Sequence, residues 1–386
     1  MLYYILLNGF YMRVAQIIHG VSNSSAGSTY FVGHLADALK NMGNDSSIIS
    51  FGEQPQVWPY QAPITVYASM LEKRMGFSPS LLRDVMKQSS QSGILHGHGI
   101  WRMTNLFPLL LNEKSQAKIV LSTHGAIAPW SMRYKSVLKT PFWKALQKPA
   151  LKRSHCFHVT SSSEYEDVRH LGLRGPVAII PIGIGIPDLP NDISRQNKIV
   201  FLGRIDPVKG LDILIPAWTR VAERFPAWEL VIAGPLDNDY ANTMQALARR
   251  LNTPRIQFLG QVLGEAKQVL LSEATLFVLP SYSENFGIVV AEALAYGVPV
   301  IASTETPWHD LEQRKCGWLI PPTQDALERV LQEALRQQSP ALKNMGLRGR
   351  EWMQESYAWS SVADMMQQTY AWLLQGGRKP DWVEVE

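Results

Sequence analysis

Short apolar runs and helix-spaced apolar positions take turns along almost the whole chain. Arg13 to His19, Ser46 to Phe51, Ile94 to His96, Lys118 to Thr123, Ser154 to Ser161 and Val177 to Pro181 read as strands. Helical spacing follows at about 30–42 and 164–172. After a break the same alternation resumes: strands at 198–202, 229–233, 256–259, 276–279, 300–302 and 317–320, with helices closing near residues 225, 251, 272 and 297. Three further helical stretches, 324–337, 340–355 and 359–374, finish the chain. Strands this short and continuously apolar are buried on both faces, and strands that alternate with helices make parallel sheet. The predicted class is α/β, with two βα-rich halves around a cleft.

The break itself is the segment GIGIPDLPNDISRQ, Gly183 to Gln196, whose glycine, proline and aspartate content marks an interdomain linker. We expect an N-terminal domain over 1–190, a C-terminal domain over 197–357 and a separate last helix over 358–376. The first true strand opens just after Met12, so residues 1–11 read as an extension outside the fold.

Composition narrows the function without naming it. A chain of 386 residues with 46% hydrophobic content can bury two ordinary cores. Its 37 basic and 33 acidic residues leave a net charge of +4, too little to indicate a nucleic-acid partner. Two distant cysteines, Cys156 and Cys316, point to a reducing compartment rather than a disulfide framework. The apolar opening MLYYILLNGFY lacks a basic leader and a cleavage site and is too short to span a bilayer. Together these features place the protein in the cytoplasm. No GxGxxG, Walker lysine loop or clustered Cys/His set is present.

Candidate chemistry gathers at strand-to-helix junctions. In Ser283 to Val300 the loop after a strand carries Glu284, a helix opens at Gly287, and Glu292 follows in its second turn. The first N–H groups of a helix are unpaired and partly positive, so Asn285, Phe286 and Gly287 could hold an anion flanked by two carboxylates. A dipole-stabilising acid and a solvated helix residue would give the same pattern. Arg204 and Lys209 bracket the loop after the strand at 198–202, and such a pair suits a diphosphate. Gly27, Ser28 and Thr29 start a helix after the first strand, where an anion site and an ordinary cap look alike. His124 ends a strand, the place where open α/β sheets bind ligands. His96 and His98 form a His-x-His pair with no further metal ligand at a suitable spacing, so with Trp101 they line a cleft or pack. Residues 133–153 hold seven basic residues and no acidic one, interleaved with Tyr134, Phe142 and Trp143. Lys144, Lys148 and Lys152 recur at helical spacing, so this face could meet anionic lipid or simply be solvated; Pro149 must kink or end any helix there.

Taken together, GRIDPVKG at 203–210 and ENFGIVVAE at 284–292 resemble glycosyltransferase family 4, the retaining enzymes of the GT-B fold in which two Rossmann-like domains face each other across a cleft. HGHGIW, THGAIAPW, TPWHDLEQRKCGW and MGLRGREWMQESYAW look most like its bacterial exopolysaccharide enzymes. The resemblance spans most of Met12 to Leu374. It implies that Arg204 and Lys209 hold the donor diphosphate with the N–H groups of Asn285, Phe286 and Gly287, that Glu292 takes the ribose, and that Glu284 takes the donor sugar. It further implies that His124 approaches the sugar near O6, that Gly27 and Ser28 close over the diphosphate, and that the main chain near Val262 reads the nucleobase. His98 and Trp101 would lie on the acceptor side. The implied donor is a nucleotide sugar, UDP-glucose first; the implied acceptor is a saccharide or lipid-linked saccharide; no metal or other cofactor is implied. Ala26 and Ser28 flank Gly27 where many relatives carry two adjacent glycines, which leaves the phosphate contact of this first domain open. The last helix would cross back onto the first domain. A sugar-nucleotide epimerase, a glycogen-synthase-like enzyme and a non-catalytic nucleotide-sugar binder share the fold.

Overall fold

The structure, a computed structural model, describes residues 11–21, 27–55, 57–68, 78–91, 93–111, 115–128, 140–189 and 195–385. The described residues form two compact units: one within Met1–Gly183 and Trp359–Glu386, the other within Ile184–Ala358. The predicted extension at 1–11 lies, but for Tyr11, outside the described residues.

In the first unit the strands are β1 (Arg13–Ile18), β2 (Asp45–Phe51), β3 (Ile64–Tyr67), β4 (Ile94–His98), β5 (Lys118–Ser122), β6 (Cys156–Val159) and β7 (Val177–Ile179). The chain returns at its end with β14 (Val383–Glu384), and the sheet order is β14-β7-β6-β5-β4-β1-β2-β3. Every pairing is parallel except that of β14 with β7. Because side chains alternate along a strand, Val14 and Ile18 join the core beneath one set of helices while Ala15 and Ile17 join the core on the opposite face. The first face is covered by α1 (Gly27–Asn41) and by the last helix, which supply Phe31, Leu35, Met366 and Tyr370. The second is covered by α2 (Pro79–Ser89) and α3 (Ser162–His170), through Leu81, Val85 and Val168.

Strand β3, helix α2 and strand β14 are additions to the predicted pattern. β3 is an edge strand of four half-exposed or exposed residues, so it carries no buried run to read. Helix α2 opens on the cap Ser78, whose hydroxyl accepts from Leu81 N, with Pro79 in the first turn. Residues 69–77 before it lie outside the described set.

The basic stretch also departs from expectation. Residues 133–139, Tyr134 among them, lie outside the described residues. Beyond them the helix is under-wound: Trp143–Gln147 form a π turn that continues without a break into Lys148–Leu151, with Pro149 inside the run. Pro149 therefore removes an N–H inside a continuous helical run, and the widened π turn directly before it accommodates the missing bond. Lys148 Nζ donates to the carbonyl of Leu171 at 2.8 Å, and Arg153 donates to those of Leu109, Pro108 and Leu111. The regular cationic face predicted from Lys144, Lys148 and Lys152 is thus interrupted, because Lys148 caps the end of α3.

The second unit has β8 (Lys198–Leu202), α4 (Leu211–Ala222), β9 (Glu229–Ala233), α5 (Asp239–Arg250), β10 (Ile256–Gly260), α6 (Gly264–Glu273), β11 (Leu276–Leu279), α7 (Ile288–Ala295), β12 (Val300–Ser303), β13 (Gly317–Ile320), α8 (Gln324–Arg336) and α9 (Ser339–Ser356). Its sheet runs β10-β9-β8-β11-β12-β13, all parallel. Residues at the start of the predicted linker are instead held by this unit: Ile184 N donates to Tyr357 O at 2.8 Å, and Arg350 donates to Pro187 O at 2.6 Å. The last helix, α10 (Trp359–Gln375), belongs to the first unit and packs on α1.

Both sheets reverse strand order once, between β1 and β4 in the first unit and between β8 and β11 in the second. Such reversal points leave a crevice beyond the carboxyl ends of the strands, and ligands of open α/β sheets bind there.

Candidate active site

At the second unit's reversal point the loops after β8 and β11 meet. Asp206 closes the first loop by accepting from Val208 N at 3.1 Å, and the 3₁₀ turn Pro207–Lys209 follows. Gly210 then turns the chain into α4 with φ +70; a Cβ there would lie 2.2 Å from the carbonyl oxygen of Pro280. Glycine at 210 is therefore what lets the two loops touch. Tyr282 ties them further, its N–H bonding Val208 O at 2.7 Å and its hydroxyl bonding Asp212 Oδ2 at 2.9 Å.

The consequence is an ion pair. Lys209 Nζ contacts Glu284 Oε2, and the two side chains are only 11% and 15% exposed. Arg204 has a side chain 74% exposed, with Asp206 at 3.8 Å as a loose partner. The structure thus brings Lys209 and Glu284 together and leaves Arg204 accessible beside them on the same loop.

The second loop ends at Gly287, φ +71, where a Cβ would crowd Glu284 Cγ at 3.0 Å and Trp308 Nε1 at 3.2 Å. Helix α7 starts at Ile288 and Val290 N already bonds Gly287 O at 2.8 Å. The free N–H groups of its first turn are consequently centred on Gly287, Ile288 and Val289, a residue or two beyond the predicted set. Phe286 is 5% exposed; its ring packs on Trp308 at 5.3 Å and its carbonyl accepts from Trp308 Nε1 at 2.6 Å. Only its N–H remains to face a ligand. Asn285 sits between Phe286 and Glu284 on this loop.

Glu292 is the half-satisfied carboxylate of the unit. Oε1 accepts from Lys267 Nζ at 2.6 Å, while Oε2 is buried with no partner among the described residues. Burial raises its pKa and Lys267 opposes the rise. The predicted symmetry of two acids around one anion is replaced by two different acids, one paired with the loop lysine and one with a helix lysine. Val262 lies after β10 and lines a groove of about 470 Å³ with Gln257, Leu259 and Glu265.

At the first unit's reversal point the site is built from histidines. His124 follows β5 with φ +48 and is half-buried. Glu164, 1% exposed, holds its loop: Oε1 accepts from Thr123 Oγ1 and Gly125 N, both at 2.5 Å, and Oε2 accepts from Thr160 N at 2.9 Å and Thr160 Oγ1 at 3.1 Å. Burial lowers His124 to about 4, with Glu164 acting against that shift. His98 is 2% exposed and lies behind His124, its Nδ1 3.1 Å from His124 Nε2. That burial corrects its placement on an acceptor surface: β4 is a central strand and its side chain points into the core under α1. His96 bonds Tyr370 OH at 2.6 Å and Ser122 Oγ at 2.7 Å. No group of three or more metal-ligating side chains occurs among the described residues. Trp101, φ +71, donates its ring N–H to Ala126 O at 3.0 Å. Gly27 and Ser28 open α1, and a Cβ on Gly27 would meet nothing within 4 Å. Residues 22–26 just before them lie outside the described set.

Sequence reading missed Glu164, Lys267, Gln16 and Trp308. Glu164 had a signal, since Ser161 and Glu164 form the S-x-x-E pattern of a helix start, and Ser161 Oγ does accept from Glu164 N at 3.3 Å. That pattern announces a cap and says nothing of the carboxylate's second use under His124. Lys267 and Gln16 stand in no local motif.

Comparison with known proteins shows the family and the fold. Residues 25–186 match the family described as Glycosyltransferase Family 4, and residues 190–352 match Glycosyl transferases group 1. The chain is 33% identical over 396 aligned positions to the phosphatidyl-myo-inositol mannosyltransferase of Mycobacterium tuberculosis, covering 95% of this chain and 99% of that protein. Among solved structures, Anabaena HepE in complex with UDP and glucose superposes with a TM-score of 0.73 at 16% identity, over 94% of this chain and all (100%) of that one. Sucrose-phosphate synthase of Thermosynechococcus elongatus does so with 0.71 at 21% identity, over 95% and 100%. The chain belongs to the family 4 (group 1) glycosyltransferases and has the GT-B fold. It is a glycosyltransferase.

Proposed function

We propose that this enzyme moves a hexose from a nucleoside-diphosphate sugar, UDP-glucose first, to a saccharide or lipid-linked saccharide in exopolysaccharide or envelope polysaccharide synthesis, with retention of anomeric configuration. The observation that carries the reading is the second unit's reversal point, where Lys209, Glu284 and the accessible Arg204 stand before the open end of α7, with the half-satisfied Glu292 on that helix. A departing nucleoside diphosphate gains negative charge as the glycosidic bond breaks, and groups that bind this charge more tightly than the ground state accelerate transfer. Arg204, Lys209 and the α7 N–H groups supply that charge without a metal. Glu292 offers Oε2 to ribose hydroxyls, Glu284 faces the sugar, and the main chain near Val262 meets the base. Gly27 and Ser28 contribute N–H groups to the diphosphate, and His124 contacts the sugar. The leaving phosphate takes the acceptor proton on the same face, so Glu284 is no nucleophile.

A mannosyl donor is the second reading, supported by the full-length match to a mannosyltransferase. That relative's lipid acceptor also keeps the basic residues of 133–153, among them the exposed Lys144 and Lys152, in view as a contact for anionic lipid at the inner face of the membrane. Among the described residues no helix is long and apolar enough to cross a membrane, and we place the protein in the cytoplasm, peripheral to that surface.

Lys209→Ala and Glu292→Ala should each lower turnover at least about tenfold, equal to about 1.4 kcal/mol of barrier. Acceptor-dependent release of UDP from UDP-glucose and of GDP from GDP-mannose measures it and separates the donors. Undiminished transfer in both variants would sink the assignment.

A further inference from the structure

His124 and two side chains behind it are joined by hydrogen bonds of one consistent polarity. The amide oxygen of Gln16, on β1, lies 2.7 Å from His98 Nε2. An amide oxygen only accepts, so His98 Nε2 carries the proton of that bond. His98 is buried, and burial beside His96, His124 and His158 holds its ring neutral. A neutral imidazole has one N–H, so His98 Nδ1 is bare. It lies 3.1 Å from His124 Nε2, which must then be the donor. Burial keeps His124 neutral as well, so its own Nδ1 is bare, and this atom makes no hydrogen bond among the described residues.

The surroundings hold the pair in this geometry. Asn105 Nδ2 donates to the carbonyl of His98 at 3.0 Å. Phe31 packs edge-on against the His124 ring at 5.4 Å, and the rings of His98 and His124 lie edge to edge, 24° from parallel with centroids 5.4 Å apart. Glu164 fixes the main chain on both sides of His124 through Thr123 and Gly125.

We propose that Gln16 and His98 are positioning residues that set His124 in its Nε2–H tautomer, so that Nδ1 is presented as a hydrogen-bond acceptor selecting a hydroxyl of the substrate. The inference rests on the reading that His124 contacts the sugar. It specifies the chemistry of that contact. A bare ring nitrogen pairs with an O–H and repels an oxygen that has no hydrogen to give, so the group it meets is a sugar hydroxyl rather than a phosphate or carboxylate oxygen.

The test begins with the unaltered enzyme labelled with ¹⁵N-histidine. Two-bond ¹H–¹⁵N correlation spectra distinguish the tautomers, and the His124 signals are identified by their loss in His124→Ala. We expect the pattern of a proton on Nε2; a proton on Nδ1 overturns the inference whatever the turnover. In His98→Asn the side-chain oxygen can stand where Nδ1 stood, whereas His98→Leu keeps the bulk and removes the acceptor. Turnover should fall about tenfold in the leucine variant and stay within about threefold of the unaltered enzyme in the asparagine variant. Equal losses in the two would show a merely structural role and also overturn it. His124→Ala tests the underlying reading separately: normal turnover there rejects the sugar contact even if the Nε2–H tautomer is observed.

Discussion

Glu292 has one oxygen on Lys267 and one buried with no partner among the described residues, and its titration follows from that. Burial, the larger effect, disfavours the ionised form and raises the pKa, while Lys267 lowers it. An acid whose folded pKa is raised is best tolerated while protonated, so its contribution to stability is present at low pH and is lost as pH rises through the raised value. Donor binding runs the other way, because the ionised carboxylate is the better acceptor for two ribose hydroxyls. On acidification the donor KM should rise from a pH above the ordinary carboxylate range. In Lys267→Met the inflection should move to higher pH, and in Glu292→Gln it should vanish. KM measured from pH 5 to 8 checks this, and an inflection shared by all three proteins would show that another group titrates. Both glutamates were legible as candidates from ENFGIVVAE. Their separate lysines were only half legible: Lys209 lies in a recognisable loop, whereas Lys267 reaches Glu292 only because α6 and α7 lie beside each other in the folded unit.

Helix α7 owes its placement to close backbone approaches as much as to side chains. Gly346 on α9 faces the carbonyl of Gly297 so closely that a Cβ would lie 1.8 Å from that oxygen, and a Cβ on Gly349 would lie 2.7 Å from Leu294 Cδ2. Gly346→Ala should therefore push α9 away from the end of α7 and destabilise the second unit by about 1–3 kcal/mol, the usual cost of over-packing. Urea denaturation checks it; an unchanged midpoint would mean that the helices yield without strain. Turnover should fall as well, since α7 carries Glu292. The helix itself was readable from its apolar run and its Gly297 stop. The demand for glycine at 346 was not, because a helical glycine within MGLRGREW carries no sign of which backbone will approach it.

The whole molecule is discontinuous in sequence. Helix α10 is the chain's last and completes the first unit, where Val362, Ala363, Met366 and Tyr370 are all 0% exposed and Tyr370 hydroxyl bonds His96. Burying large apolar side chains stabilises by about 1.5–3 kcal/mol each, which for this set is comparable with the few to fifteen kcal/mol that hold a whole domain. Ending the chain at Ala358 should unfold the first unit while sparing the second. Thermal denaturation would then lose one transition and keep one, and a truncated protein retaining both would refute the dependence. The same helix carries Tyr370 to His96 and packs beside Phe31, so the histidine network of the first unit depends on residues more than two hundred positions away in the chain.

Local chemistry was sufficient to announce strands, helix stops, the phosphate-type loop at 203–210 and the acidic helix start at 284–292, because each depends on residues within a few positions of one another. It also yielded the family, since Arg204 with Lys209 in one loop, and Glu284 with Glu292 at one helix start, are each a local record. Tertiary structure alone decided which charges pair, that His98 is buried behind His124, and that Lys148 caps a helix instead of joining a cationic face. It also decided that residues 184–189 dock on the second unit. Those outcomes turn on strand order, burial and the approach of distant backbones, and no window of sequence contains both partners of such a contact.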